Sequence, residues 1–88
     1  MEKRIGTISI IIYRREVAAQ VNEIISQYSD FILARDGLPL PDKFLNIITL
    51  IIETSSEKIN ALTGRIGRLK DVEVKSILSK NITNQKNQ

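Results

Sequence analysis

At 88 residues, with 26% of them charged and a formal charge of +3, the chain has room for one small domain. A domain this short buries only about 60% of the surface its unfolded chain exposes, so it gains margin from disulfides, a structural metal or a partner subunit. There is no Cys, which excludes disulfides, thiolate metal sites and thiol redox chemistry, and no His, the commonest ligand of zinc, nickel and copper. No metal or cofactor is expected, and oligomerisation is the remedy left.

The opening MEKRIGTISIIIYRRE lacks the form of a signal peptide: its apolar core is short, and Thr7 and Ser9 interrupt it. No apolar run approaches the ~20 residues needed to cross a membrane, so a cytoplasmic chain with no membrane partner is expected. Residues 4–13 are dense in Ile, which favours a strand, with Ile8, Ile10 and Ile12 on one face and Thr7, Ser9 and Ile11 on the other. The period then changes. Val17, Val21, Ile24, Ile25 and Tyr28 recur at helical spacing, predicting an amphipathic helix over about 14–28.

A second strand is expected over about 30–38, and PLPDK reads as the turn after it. ARDGLPLP (34–41) contains an Asp-Gly step that could by itself mark a hairpin. In the context of its neighbours, Arg35 to Leu38 close the second strand instead, with Gly37 expected at a bulge or close approach. FLNIITLIIE (44–53) is the strongest strand pattern in the chain. TSSE (54–57) has capping-box form, with Thr54 as the cap and Glu57 three residues on. Behind it Ile59, Leu62, Ile66 and Leu69 predict a second helix over about 55–68. Gly64 and Gly67 weaken that helix, and they either end it through left-handed caps or let a backbone or ligand approach closely. A last strand opens at Asp71, with Val72 and Val74 opposite Glu73 and Lys75.

Residues 1–80 are thus expected to form one domain, and 81–88 a polar, disordered tail. Residues 79–88 hold Lys80 and Lys86 and no acid, which leaves 11 of the 13 basic residues against 10 acidic, a body of +1. That balance disfavours nucleic-acid binding, which relies on clustered Lys and Arg.

The order β-α-β-β-α-β is the ferredoxin-like α+β pattern, a four-stranded antiparallel sheet with both helices on one face. Right-handed crossovers place the first and third strands in the centre. If Ile8, Ile10, Ile12, Ile48, Leu50 and Ile52 meet the helices, the open face still carries Ile11, Ile47, Thr49, Ile51 and Ile77. Those five are candidate oligomer-interface residues, for a homodimer or tetramer.

Catalytic chemistry finds little footing. Asp36 and Asp42 are the carboxylates closest together in a loop, and both read as turn formers beside Gly37 and Pro41. A ferredoxin-like RNA binder carries paired aromatics on its central strands, where this chain offers only Tyr13 and Phe44 at strand ends. Arg14 and Arg15, at the first strand–helix junction, suit a small anion or are simply solvated.

With RIGTISIII, VNEIISQY, the R-x-G-L-P stretch and ALTGRIGRLKDVEVKS (61–76) in view, the chain resembles the small ACT-like family of iron-only hydrogenase system regulators. The likeness covers roughly residues 4–80 and is most specific in its last two segments. It implies an ACT-like regulatory domain that self-associates through its sheet. Proteins of this broader type bind small effectors at subunit interfaces or form the sensory half of a repressor. The nickel-responsive repressor has a similar domain but binds metal through His and Cys, neither of which occurs here. The expected function is therefore a non-enzymatic regulatory module binding a small ligand or protein partner. Arg14, Arg15, Arg35, Asp36, Gly37, Gly64 and Gly67 are its candidate ligand-binding residues, and a nucleic-acid-binding regulator module is the alternative.

Overall fold

Runs dense in Ile, broken by Thr7 and Ser9 in the first and Thr49 in the second, make the two central strands. In the computed structural model, which describes residues 2–81, β1 (Arg4–Ile12) and β3 (Leu45–Thr54) pair antiparallel, with Ile8 opposite Leu50 and Ile10 opposite Ile48. β4 (Val72–Leu78) pairs with β1, and β2 (Ile32–Leu40) with β3, which gives the sheet order β2-β3-β1-β4. The first and third strands are central, as right-handed crossovers require. Both helices, α1 (Ala18–Ser26) and α2 (Ser56–Gly67), cover the same face.

The even-numbered residues of β1 and β3 form the floor of the core. Ile8, Ile10, Ile12, Ile48, Leu50 and Ile52 lie against Val17, Val21 and Ile25 of the first helical segment and Ile59, Leu62 and Ile66 of α2. Each fully buried Ile or Leu contributes about 1.5–3 kcal/mol over leaving it in water, which is where this domain's margin resides. Gly6 is needed for close approach: a Cβ there would stand 3.1 Å from Ile59 Cδ1.

Several local expectations are corrected. The first helix is shorter than 14–28: a 3₁₀ turn (Arg15–Val17) leads into α1, which begins with no side-chain cap. The cap of α2 is Ser55, whose hydroxyl accepts from the Lys58 amide 3.2 Å away, rather than Thr54. Thr54 still belongs to the β3 ladder opposite Arg4, and its even-numbered position turns it into the core, fully buried. Among the described residues its Oγ1 has no hydrogen-bond partner.

Gly37 sits at no bulge. It is a regular ladder partner of Ile48, and the register shift falls at Ile32/Ala34 instead. β2 runs on through Pro39 to Leu40, and the turn is a 3₁₀ segment, Pro41–Lys43, closed by Phe44 in the left-handed region at φ 55°. Neither Gly64 nor Gly67 adopts a positive φ, so no left-handed glycine cap ends α2; Asp71 (φ 62°) makes the turn into β4. Gly67 serves the close-approach reading, since a Cβ there would lie 3.2 Å from Val74 Cγ1. The polar tail expected over 81–88 falls, apart from Asn81, outside the described residues.

Candidate functional site

The edge strand β2 is exposed along nearly its whole length, and α2 packs over β4, β1 and β3 instead. Its odd-numbered residues Arg35, Gly37 and Pro39 pair with Leu50, Ile48 and Asn46, and so lie on the helix side of the sheet. A groove opens there between β2 and the start of the first helical segment. It consists of two adjoining cavities of about 150 and 220 Å³ that share Ile12, Pro39 and Asn46.

Arg15 borders one cavity and Arg35 the other. Arg35 Nη2 donates to Asn22 Oδ1 of α1, a bond that spans the groove from sheet to helix. The exposed Arg15 guanidinium has no hydrogen bond or ion pair among the described residues, and Pro39, Leu40, Pro41, Phe44 and Leu45 line the cavity that it borders. A free guanidinium beside an apolar wall suits a ligand with an anionic end and an apolar body. Gly37 borders the groove but makes no close approach, contrary to expectation, as nothing lies within 4 Å of where its Cβ would be.

The seven candidate ligand residues therefore separate. Arg15, Arg35 and Gly37 meet at the groove. Arg14 turns away, with Nη1 3.5 Å from Asp71 Oδ2 and Nε 3.7 Å from Glu16 Oε1. Asp36 points to the opposite face of the sheet, beside Thr49, as a strand residue and not a turn former. Gly64 and Gly67 lie in α2, away from the groove. Asn22, Asn46 and the Pro39–Leu45 wall were not among the candidate ligand residues, although Pro39 ends the R-x-G-L-P stretch; the pairing of Pro39 with Asn46 depends on register that only the hairpin fixes.

The five candidate interface residues share the open face. Register sets Ile77, Thr7 and Ile51 in one row, Lys75, Ser9, Thr49 and Asp36 in the next, and Glu73, Ile11, Ile47 and Leu38 in a third. Ile77 is 73% exposed and Leu38 56%. Tyr13 continues the face and donates to Glu73 Oε1, which, with some burial and the carboxylate's charge, raises the phenol above its ordinary pKa.

Among the described residues, no group of three or more His, Cys, Asp or Glu stands where it could hold a metal ion. None of the described helices is long and apolar enough to cross a membrane.

This geometry defines an ACT-like domain of the ferredoxin type. An ACT domain from a GTP pyrophosphokinase of Chlorobium tepidum superposes with a TM-score of 0.66 at 17% identity, covering 99% of this chain and 98% of that one. The C-terminal domain of the MgtC protein from Mycobacterium tuberculosis does so with a TM-score of 0.67 at 13% identity, covering 93% and 94%. These two likenesses show the fold alone.

The uncharacterized protein TM1266 from Thermotoga maritima superposes with a TM-score of 0.85 at 35% identity, covering 90% of this chain and all of that one. Residues 4–76 match the family described as "TM1266-like: Iron-only hydrogenase system regulator, putative". The chain belongs to that TM1266-like family. No curated protein matches this sequence.

Proposed function

We propose that the protein is a non-enzymatic regulatory module of the iron-only hydrogenase system that binds a small anionic ligand in the β2–α1 groove and self-associates through its open sheet face. The observation that carries the ligand reading is the pair of arginines bordering one groove, Arg15 without a partner and Arg35 held by Asn22. The family description supports the regulatory role. The exposed Ile51, Ile77 and Leu38 support self-association, since a small domain without disulfides gains its margin from a partner.

The ligand reading is tested by thermal shift and calorimetry against amino acids, dicarboxylates and nucleoside phosphates. At least one class raises the melting temperature of the native chain, and Arg15→Gln and Arg35→Gln each weaken that compound about tenfold or more, Arg15→Gln doing so with the unliganded melt unchanged. A ligand that binds equally well to both variants would overturn the groove as its site. Binding to duplex DNA with a salt slope of several phosphate contacts would overturn the small-effector reading instead.

A further inference from the structure

We infer that the open sheet face is covered by the same face of a second copy, about a two-fold axis that runs parallel to the strands between β1 and β3. This rests on the self-association reading above and adds to it a defined arrangement. The central row of the face crosses the sheet as Lys75, Ser9, Thr49 and Asp36, from β4 at one edge to β2 at the other. A base thus stands at one end and an acid at the other, with hydroxyls between. Among the described residues, neither Lys75 nor Asp36 has an ion pair within its own chain.

A two-fold axis along the strands exchanges the two edges of the sheet. It sets Lys75 over the partner's Asp36 and Ser9 over the partner's Thr49, each twice in the dimer. It also sets Ile11 over the partner's Ile47, Thr7 over the partner's Ile51 and Glu73 over the partner's Leu38, so the polar row meets a polar row, and of the flanking pairs the Glu73 pair at the sheet edge sets a carboxylate against an apolar side chain. An axis across the strands through the same row does the reverse: Lys75 then faces Lys75 and Asp36 faces Asp36. Like charges brought together in this way disfavour the pairing. Glu73 could receive Lys75 only if the axis were displaced along the strands, and its carboxylate already accepts from Tyr13.

The face is large enough. Four strands at ~4.8 Å spacing and nine residues at ~3.3 Å give about 19 by 30 Å, or roughly 1,100 Å² over two copies. That clears the ~1,000 Å² expected of a biological interface. Aligned sheets cross at about 30°, which moves the edge pair by about 4 Å, within the reach of a lysine stem. The sheet edges are poorer candidates for a second copy, since Pro39 lacks an amide to donate on β2 and Lys75 stands midway along β4.

Sedimentation equilibrium of the full chain and four variants tests this. The native chain associates at micromolar concentration, and Ser9→Arg, an exposed change at the centre of the face, makes it monomeric. Lys75→Asp and Asp36→Lys each weaken association about tenfold at low salt, and the double reversal returns it to within about threefold of native. If Ser9→Arg leaves association intact, or the native chain is monomeric, the open-face reading itself falls. If Ser9→Arg dissociates the chain but the double reversal does not recover it, or a single reversal tightens it, the lengthwise axis is overturned and the face stands. Circular dichroism melts confirm that each variant is folded.

Discussion

Gly64 and Gly67, three residues apart on α2, stand in opposite surroundings. Nothing lies within 4 Å of a Cβ at Gly64, whereas one at Gly67 would meet Val74 Cγ1 at 3.2 Å. Gly64→Ala should therefore raise stability by about 0.5–1 kcal/mol, the full helix-propensity gain. Gly67→Ala should yield less, because Val74 must shift, and chemical denaturation of the two variants side by side measures the difference. The titration of Tyr13 is displaced by its neighbour. Its hydrogen bond to Glu73 raises its pKa above the ordinary tyrosine value. The proton is thus held more tightly in the folded chain: that preference is whole below the unfolded tyrosine pKa and is lost as pH rises through the raised value. Glu73→Gln removes the carboxylate charge, and ultraviolet titration should show Tyr13 ionising at lower pH than in the native chain.

At the scale of the element, the start of α2 shows how one position decides a role. Thr54 and Ser55 are both good caps by residue type, and the sequence pattern favours Thr54 through Glu57. The β3 ladder continues to Thr54, however, and its side chain follows the even-numbered face into the core. Ser55, the first residue off the ladder, takes the cap. Ser55→Ala should cost about 1 kcal/mol. Thr54→Val should be neutral or stabilising by up to about 1 kcal/mol, because it removes a buried hydroxyl without a partner. A loss of stability in Thr54→Val, read from the denaturation midpoint, would contradict that account. The strand β2 carries the same lesson. Asp36-Gly37 reads locally as a turn, yet pairing with the Ile-rich β3 draws it into the ladder and moves the turn to Pro41–Lys43.

For the whole molecule, stability and assembly are linked. A chain whose open face is covered by a second copy gains stability with concentration, since association draws only on the folded state. The melting temperature should rise over a hundredfold increase in protein concentration, and Ser9→Arg should abolish the rise. A melt independent of concentration in the native chain would leave the open face uncovered. Along β2, Arg35 and Gly37 lie on the helix side of the sheet and Asp36 and Leu38 on the open face, while Leu38 and Ile47 also border the Arg35 cavity, so a ligand in the groove and a partner on the open face would meet at the edge of β2.

The ordering β-α-β-β-α-β, the central place of the Ile-rich strands and the division of Ile8, Ile10 and Ile12 from Ile11 were all legible in the sequence. Periods of two and of 3.6 residues are properties of neighbouring side chains and need no distant partner. The open face with Ile11, Ile47, Thr49, Ile51 and Ile77 followed from the same alternation. The groove was only partly legible: Arg15, Arg35 and Gly37 stood among the seven candidates, but nothing local separated them from Arg14, Asp36, Gly64 and Gly67. Their sorting depends on which strand each residue pairs with and on where each ladder ends. Register across β2, β3 and β1 places Asn46 between Pro39 and Ile12, and aligns Lys75, Ser9, Thr49 and Asp36 in one row. Those are contacts between residues far apart in the chain, and only the closed sheet brings them together.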